Sequence, residues 1–377
     1  MPERSQRPVI VAARRSPIGT AGRSLAGVSA AELAAPVLAA VAGDLADLGR
    51  SPAEVLLGNC CGPGGDVARV ATLAAGLAQA VPAVTVDRQC ASGLAAIELG
   101  AALVDDDHWP VLAGGVESAS TAPWRSWPPR DGAPPVRYER APFAPAEVGD
   151  PDMGLAADLL AAEHGVGREH QDAYAARSHR LAWQTAQHGG FAAELVPVAA
   201  LDHDERLRPG LTTARLARFP AAFREGGTVT AANSCGVNDG AAVVALAPAS
   251  ARLPGLRVLA TASAGVDPNR PGIGLVPAVE QALERAGVAL PQLDVIELNE
   301  AFAGQILACC DELGLDPERV CVEGGALALG HPWGASGAVL AVRLFSQLVR
   351  AGRGRYGLAA IAAGGGQGTA MVVEACR

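Results

Sequence analysis

Apolar positions along the chain follow two alternating patterns. Short apolar runs bounded by glycine predict buried strands, and stretches with apolar residues every three to four positions predict amphipathic helices. Strands that alternate with helices are typical of α/β proteins with mostly parallel sheets. Helices are predicted at Glu32–Leu48, Leu94–Val104, Val276–Ala286 and Ala338–Arg350, and strands at Val55–Asn59, Val111–Gly115, Val295–Asn299 and Gly357–Ala363.

The first and last thirds of the chain share one order of elements: helix, strand, turn, helix, strand. Ala91-Ser-Gly93 is repeated as Ala335-Ser-Gly337, and an Asn precedes each copy, Asn59 by 32 residues and Asn299 by 36. This is an internal duplication of about 100 residues. It predicts two similar α/β halves that pack as one body.

Residues 120–237 match neither copy and are too long for a turn, so an inserted functional unit is expected. This stretch contains the Trp- and Pro-rich Ala122–Pro129, a mixed-charge helix from Arg168 to Ser178, and the Arg-rich Asp204–Arg224. The predicted domains are a first half (1–119 with 238–258), a loop domain (120–237) and a second half (259–377).

Composition supports a folded α/β chain of roughly two to three domains, because half of the 377 residues are hydrophobic and 18% are charged. The net charge of −9 argues against a nucleic-acid surface. All 30 basic residues are Arg, which excludes Schiff-base catalysis by Lys. Anionic ligands must therefore bind Arg, His, backbone N–H groups or helix N-termini.

Targeting and metal signals are also absent from the sequence. The N-terminal residues lack a signal-peptide pattern, and no uninterrupted run of 18 strongly apolar residues predicts a membrane span. The eight Cys form no CxxC pair and no Cys/His zinc spacing. We therefore expect a reduced, cytoplasmic protein with no membrane and no metal site.

The two matched turns carry candidate catalytic residues. Cys90 lies at a strand-to-helix turn, where the helix N-terminus lowers a thiol pKa and favours a nucleophilic thiolate. His331 lies in the other turn, and equivalent turns in two packed halves can meet as an activated Cys/His pair. The alternatives are a small residue in a tight turn and a structural loop His.

Two further segments suit acyl chemistry. Asn299 follows a strand and can hold a water or a carbonyl oxygen, and Glu300 could orient a neighbour. The Gly run that starts at Gly364 lacks the dinucleotide pattern GxGxxG, because Thr369 stands at the third Gly, and it suits an N–H donor to an oxyanion. No GxSxG is present, which argues against a serine hydrolase.

Together these segments resemble the thiolase family along essentially the whole chain. The resemblance implies a thiolase fold of layered αβαβα halves with an inserted loop domain. It also implies coenzyme A thioesters as substrates, no separate cofactor, and homodimers or homotetramers. The matching segments are Gln89–Leu94, Gln171–Ser178, Thr228–Ala231, Asn238–Ala241, Asn299–Ala303 and Gly324–Pro332.

The resemblance also implies roles for individual residues. Cys90 takes the acyl group, His331 activates it, Asn299 holds a water at one oxyanion site, and the N–H groups of Cys90 and Gly364 form the other. Ping-pong kinetics should follow from the acyl-enzyme. Coenzyme A would pass Arg208, Phe223, Ala231 and Cys235, and the acyl pocket would be lined by Met153, Ala301 and Phe302.

The sequence departs from the family at Ala362, where thiolases have a second Cys that removes and returns the α-proton. A methyl group cannot accept a proton, and general base catalysis is worth roughly 10²–10⁴-fold. Carbon–carbon bond formation should be slow unless Cys235, Cys321 or His331 substitutes. Smaller departures are Asp87 for Asn, Asp152 for His, Cys235 for Ser, and Pro271 and Leu275 for Met and Pro.

Three functions remain open at this level. The first is an acyl-CoA C-acyltransferase that acts through a Cys90 thioester. The second is a thiolase-like acyltransferase or thioester hydrolase that has lost Claisen condensation because residue 362 is Ala. The third is a non-catalytic acyl-CoA-binding subunit, which the intact Cys/His pair disfavours.

Overall fold

The structure, a computed structural model, describes residues 6–376. The strands are β1 (Val9–Arg15), β2 (Gly19–Thr20), β3 (Glu54–Gly58), β4 (Ala83–Val86), β5 (Val111–Ser118), β6 (Arg125–Trp127), β7 (Val136–Tyr138), β8 (Asn238–Ala247), β9 (Gly255–Gly265), β10 (Val295–Leu298), β11 (Tyr356–Ala363) and β12 (Gln367–Cys376). The helices are α1 (Ala30–Gly43), α2 (Val67–Ala74), α3 (Ser92–Leu103), α4 (Met153–Glu163), α5 (Arg168–Gln187), α6 (Thr213–Leu216), α7 (Leu275–Ala286), α8 (Ala303–Leu313), α9 (Ala326–Leu329) and α10 (Trp333–Phe345).

Every helix and strand predicted from periodicity is present, with shifted ends. Helix α1 starts two residues early because Ser29 and Glu32 form a capping box, and it ends at Gly43. Helix α10 starts at Trp333, five residues before the predicted start. The segment Ser346–Arg350 then continues it as a π-helical turn.

The strands join in the order β4-β3-β5-β8-β1-β9-β12-β11-β10. Strands β3, β4 and β5 are mutually parallel, as are β10 and β11, and the remaining pairs are antiparallel. Within the sheet, the two halves join at β1 and β9, through the pairs Val9 with Arg257 and Ile10 with Leu256. Read outward from that junction, β1-β8-β5-β3 and β9-β12-β11-β10 follow the same sequence of antiparallel and parallel pairs, with β4 added at the edge of the first half. The predicted duplication is therefore confirmed in the structure.

Alternation along the strands divides the core into three apolar clusters. In β3, Val55 and Leu57 pack with α1 and α2, whereas Leu56 faces the cluster that contains α3 and α10. In β11, Leu358 faces α7 and α8, whereas Ala359 joins the α3 and α10 cluster. The layers are therefore helix, sheet, helix, sheet, helix, and the predicted αβαβα thiolase fold is confirmed.

The repeated glycines bring α3 and α10 together in the middle layer. A Cβ on Gly93 would lie 2.8 Å from the Gly334 carbonyl oxygen, and one on Gly337 would lie 2.6 Å from the Leu94 nitrogen. Any larger side chain would push the helices apart. The duplicated Ala-Ser-Gly motif is thus a helix-contact motif that places the N-terminal ends of α3 and α10 side by side.

Strand register defines which residues are equivalent in the two halves. Gly58 pairs with Gly115 in the first half, and Leu298 pairs with Ala360 in the second. Counting from these pairs, Asn59 corresponds to Asn299 and Glu117 corresponds to Ala362. The antiparallel strands on the other side give the same correspondence, because Glu117 lies opposite Gly240 of β8 and Ala362 lies opposite Gly368 of β12.

The inserted stretch contributes the β6–β7 hairpin and helices α4 to α6. Helices α4 and α5 pack on α8 of the second half, and α5 also packs on α9. The division into three domains stays a proposal. Its predicted boundary between the two halves, after residue 258, falls within β9. Among residues 6–376, no helix is both long enough and apolar enough to cross a membrane.

Candidate active site

One cavity of about 660 Å³ gathers much of the predicted site. Its walls come from the Cys90 turn, the β6–β7 hairpin, the start of α4 and residues 234–237. A cavity of this size suits a small organic ligand. The predicted site residues that line it are Cys90, Met153, Phe223, Cys235, Phe302 and Gly364.

The turn that carries Cys90 is strained. Gln89 has a φ of 49°, in the left-handed region. The Ser92 hydroxyl donates to the Gln89 carbonyl at 2.6 Å and accepts from the Arg88 N–H at 2.7 Å. These two bonds offset the strain and hold Cys90 just before α3.

Burial dominates the chemistry of the Cys90 thiol. Burial, with smaller contributions from the neighbouring Cys235 and Glu117, raises the pKa of Cys90 to about 12. The expectation that the helix N-terminus would lower this pKa is therefore wrong, because desolvation outweighs the helix dipole. A thiol with this pKa stays protonated at neutral pH and needs a base to become a nucleophile.

His331 has the protonation state that such a base requires. It is 2% exposed, and burial lowers its pKa to about 4, so the ring is neutral at pH 7. The Ser336 hydroxyl donates to the Pro332 carbonyl at 3.1 Å, so it must accept from His331 Nδ1–H at 2.6 Å. Nε2 therefore carries the lone pair and is the basic nitrogen.

A buried carboxylate connects the two turns. Glu117 accepts from the N–H groups of Cys60 (3.1 Å), Cys61 (3.2 Å) and Gly334 (3.1 Å), and from the Asn59 side-chain amide (3.0 Å). The Cys60 thiol in turn donates to the carbonyl of Gln89 at 3.1 Å, within the Cys90 turn. Glu117 thus links the start of α10 to the loop against the Cys90 turn.

The turns correspond as predicted, but the residues within them are offset. The repeated motif pairs Cys90 with Gly334 and His331 with Asp87. The expectation that the two reactive residues occupy matched positions therefore holds for the turns and is wrong for the residues. Thiol and imidazole make no direct hydrogen bond; His331 pairs with Val237, which lines the cavity.

Asn299 lies apart from the large cavity. It is 3% exposed and follows β10, and its N–H donates to Ala360 at 2.9 Å. It lines a separate internal cavity of about 10 Å³, together with Ser336, the partner of His331. That volume is about the space of a single water molecule. The neighbourhood suits a water-holding role, although Asn299 does not face the large cavity.

Aromatic rings shape the wall opposite Cys90. Phe223 packs on Gly154, where a Cβ would lie 2.2 Å from the ring, and meets Phe302 edge-on at 6.0 Å. Phe143 packs on Gly364 in the same way, with a Cβ-to-ring distance of 2.5 Å. Both glycines are therefore needed for close ring contact. The three rings therefore form an apolar patch in a cavity whose lining also includes charged residues.

Five predicted residues do not line the cavity: His331, Asn299, Ala301, Arg208 and Ala231. Ala301 lies behind the wall, where its carbonyl accepts from the N–H of Cys235 at 2.9 Å. Arg208 and Ala231 are exposed on the surface. Arg208 lies close enough to His179 to depress its pKa, which burial lowers to about 3.

Sequence reasoning missed several residues of the site. Glu117 is the next-to-last residue of the buried strand β5. A carboxylate that follows a run of apolar residues was the sequence signal that could have identified it. Asp152, noted as a departure, caps α4 by accepting from the N–H groups of Gly154 (2.9 Å) and Leu155 (3.2 Å). Asn238 accepts from the N–H of His331 at 2.9 Å, and only the folded chain shows this.

The site offers no metal centre. No group of three or more His, Cys, Asp or Glu side chains among residues 6–376 could hold a metal ion.

Comparisons with known families agree with this architecture. Residues 8–250 match the model of the thiolase N-terminal domain, and residues 254–375 match that of the thiolase C-terminal domain. The chain belongs to the thiolase family, and it is an acyltransferase.

Individual relatives cover the full chain. It is 42% identical over 391 residues to an acetyl-CoA acetyltransferase of Pseudomonas aeruginosa, with 97% of this chain and 98% of that one covered. The Bacillus anthracis acetyl-CoA acetyltransferase structure gives a TM-score of 0.89 at 36% identity, covering 98% and 99% of the two chains. Human mitochondrial 3-ketoacyl-CoA thiolase in complex with CoA gives 0.91 at 33% identity, covering 99% of each.

Proposed function

We propose that the protein is a thiolase-type acyl-CoA C-acyltransferase that carries the acyl group as a thioester on Cys90. The observation that supports this most is the hydrogen-bond chain from His331 through Ser336 to Pro332. It leaves a neutral imidazole with a basic Nε2 in the turn packed beside a protonated thiol. The names of the relatives, acetyl-CoA acetyltransferases and a CoA-binding thiolase, point to the same substrate class.

In the first half-reaction, Nε2 of His331 takes the Cys90 proton as the sulfur attacks the thioester carbonyl. The N–H groups of Cys90 and Gly364 stabilise the oxyanion. Coenzyme A leaves with the proton from the imidazolium, and Cys90 keeps the acyl group. In the second half-reaction, His331 and a water held by Asn299 face the incoming thioester oxygen. Two smaller barriers replace one large barrier, which is the advantage of a covalent intermediate.

The remaining predicted residues would place the substrate. Met153 and Phe302 would contact the acyl group, with Ala301 behind them, and Phe223 and Cys235 would contact the pantetheine arm. Arg208 and Ala231 are exposed outside the cavity. That position suits the phosphate-bearing end of coenzyme A, for which Arg208 would supply charge because the chain has no Lys.

Intact mass after incubation with acetyl-CoA tests the proposal. The wild-type protein should gain one acetyl group, and Cys90→Ala should gain none. Cys376→Ala is the matched control, because this thiol lies at the end of β12 against the carbonyl of Gly255. An adduct that survives Cys90→Ala, or no adduct on the wild type, would contradict the proposal.

A second candidate is supported by Ala362. Without a proton carrier at that position, the enzyme would pass its acyl group to an oxygen, nitrogen or aromatic carbon acceptor, or to water. Cleavage of acetoacetyl-CoA by the wild-type protein would exclude this candidate. A gain of cleavage only in Ala362→Cys would favour it. Acylation with turnover in either reaction would also exclude a non-catalytic subunit.

A further inference from the structure

Carbon–carbon cleavage in this cavity would need a proton donor. When the Cys90 sulfur attacks the 3-keto carbon of a 3-ketoacyl-CoA, the bond between C2 and C3 breaks and its electron pair moves to C2. That carbanion must take up a proton. Residue 362, next to Gly364 on β11, has only a methyl group. The proton must come from another side chain, and this question rests on the proposed function.

Most titratable groups that line the cavity already have partners. The Asp87 carboxylate accepts from the Gln89 N–H at 2.8 Å, and Asp152 caps α4. The ring of Tyr138 packs on Trp127 within the hairpin, 5.0 Å between centroids. The Cys60 thiol donates to Gln89.

Two thiols remain on the cavity wall besides Cys90, namely Cys61 and Cys235. Cys61 follows Cys60 in the loop held by Glu117, on the side of the β6–β7 hairpin, near Arg125. Cys321, which the sequence analysis also named as a possible substitute for the missing Cys, donates to the Leu298 carbonyl and does not line the cavity. Cys235 is therefore the thiol on the wall that holds the acyl-pocket residues.

Backbone contacts hold Cys235 next to the residues of the acyl pocket. Its N–H donates to Ala301 at 2.9 Å, and Ser234 forms a β-bridge with Phe302 of the acyl pocket. The partly buried Arg206 donates to the Ser234 carbonyl at 3.0 Å, so a cation lies beside the thiol. Cys90 and Cys235 line the same cavity, and of the ionisable groups around Cys90, Cys235 raises its pKa most.

We propose that Cys235 is the second catalytic thiol of this enzyme and carries the proton of the carbon–carbon step. In cleavage, Nε2 of His331 takes the Cys90 proton as the sulfur forms a bond to C3 of the 3-ketoacyl-CoA. The bond between C2 and C3 breaks, and C2 takes the proton of the Cys235 S–H. The products are the acyl-Cys90 thioester, a shortened acyl-CoA, a Cys235 thiolate and a protonated His331.

The second half-reaction restores both thiols. An incoming coenzyme A gives its S–H proton to the Cys235 thiolate and attacks the acyl-Cys90 carbonyl. The bond from the carbonyl carbon to Cys90 breaks, the Cys90 sulfur takes back its proton from His331, and coenzyme A leaves with the acyl group. Burial raises the pKa of Cys235 to about 11, although Arg206 opposes this, so the thiol is protonated before each cleavage. No oxidant or further reactant is needed.

The experiment compares two reactions of the same enzyme. Thiolysis of acetoacetyl-CoA requires a proton at C2, whereas exchange of labelled CoA with acetyl-CoA requires only acyl transfer through Cys90. Cys235→Ala should lower the ratio of thiolysis to exchange by about 10²-fold or more. It should also slow deuterium uptake by the acetyl-CoA methyl group in D₂O. Cys61→Ala, the matched control, should change the ratio by less than about threefold.

The double variant Cys235→Ala/Ala362→Cys should recover thiolysis at least tenfold, because it returns a thiol to the same cavity from β11. An unchanged ratio in Cys235→Ala would overturn the inference, as would wild-type protein that exchanges CoA without thiolysis. Absence of CoA exchange and of the Cys90 adduct would instead overturn the proposed function. If Cys235→Ala fails to fold, Cys235→Ser replaces it and should show the same fall in the ratio.

Discussion

The two matched turns, 87–93 and 331–337, are built on one plan and differ in the hydrogen bonds of their serines. In the first turn, the Ser92 hydroxyl accepts from the backbone N–H of Arg88. In the second, Pro332 stands at the equivalent position and has no N–H, so the Ser336 hydroxyl accepts from the His331 ring. A single proline thus converts a structural serine into the group that orients a base.

The ends of β5 and β11 show a second divergence. Glu117 accepts four hydrogen bonds and holds the loop against the Cys90 turn, whereas its equivalent, Ala362, has none to make. One half of the duplication uses this position for structure, and the other has no polar group there. Under the proposed function, the duplicated scaffold would place the nucleophile on one copy and its base on the other.

The largest effect should come from removing the base. His331→Ala should slow Cys90 acylation about 10²–10⁴-fold at pH 7, because the thiol then has no proton acceptor. The loss should shrink as pH rises, since more of the thiol ionises by itself. Rapid-quench mass measurement of the acyl-enzyme checks both points. His188→Ala, which alters an exposed ring, is the control and should match the wild type.

Removing the carboxylate that joins the turns should mainly affect stability. Glu117→Ala leaves four buried donors without their acceptor, and we expect the free energy of unfolding to fall by about 2–5 kcal/mol. Ala362→Cys, at the equivalent position, should change it by about 1 kcal/mol or less. Urea unfolding measures both. Equal losses in the two variants would contradict the structural contrast between the halves.

A smaller effect should follow from the matched serines. Ser336→Ala removes the acceptor of His331 Nδ1–H, so the ring can adopt the wrong tautomer, and acylation should slow about three- to tenfold, equivalent to about 1 kcal/mol. Ser92→Ala should lower the melting temperature by several degrees instead, because its partners are backbone groups of the strained turn. If Ser92→Ala slowed acylation more than Ser336→Ala did, the assignment of roles to the two turns would be wrong.

The smallest effect should be that of pH on the wild-type enzyme. The pKa of His331 is lowered to about 4 and that of Cys90 is raised to about 12, so a neutral base faces a neutral thiol between these values. The acylation rate should change by less than about twofold between pH 5.5 and 8.5 and fall as pH drops toward 4. A rate that rises tenfold per pH unit through this range would indicate a free thiolate and exclude the neutral pair.

Much of the architecture could be predicted from local patterns. Strand and helix periodicity located the elements of both halves, and the repeated Ala-Ser-Gly motif revealed the duplication, because these features are visible in short segments of sequence. Helix ends shifted where a capping box or a π-helical turn was present, as at Ser29 and Ser346. The candidate reactive residues, a Cys and a His on matched turns, could also be identified from the sequence.

Tertiary structure decided what those residues can do. Burial, which no local pattern specifies, reverses the expected shift of the Cys90 pKa and keeps His331 neutral. Contacts between segments distant in the chain decide that Glu117 joins the turns and that Cys235, rather than Cys321, lines the cavity. Desolvation and long-range hydrogen bonds depend on which surfaces meet, and only the folded chain specifies that.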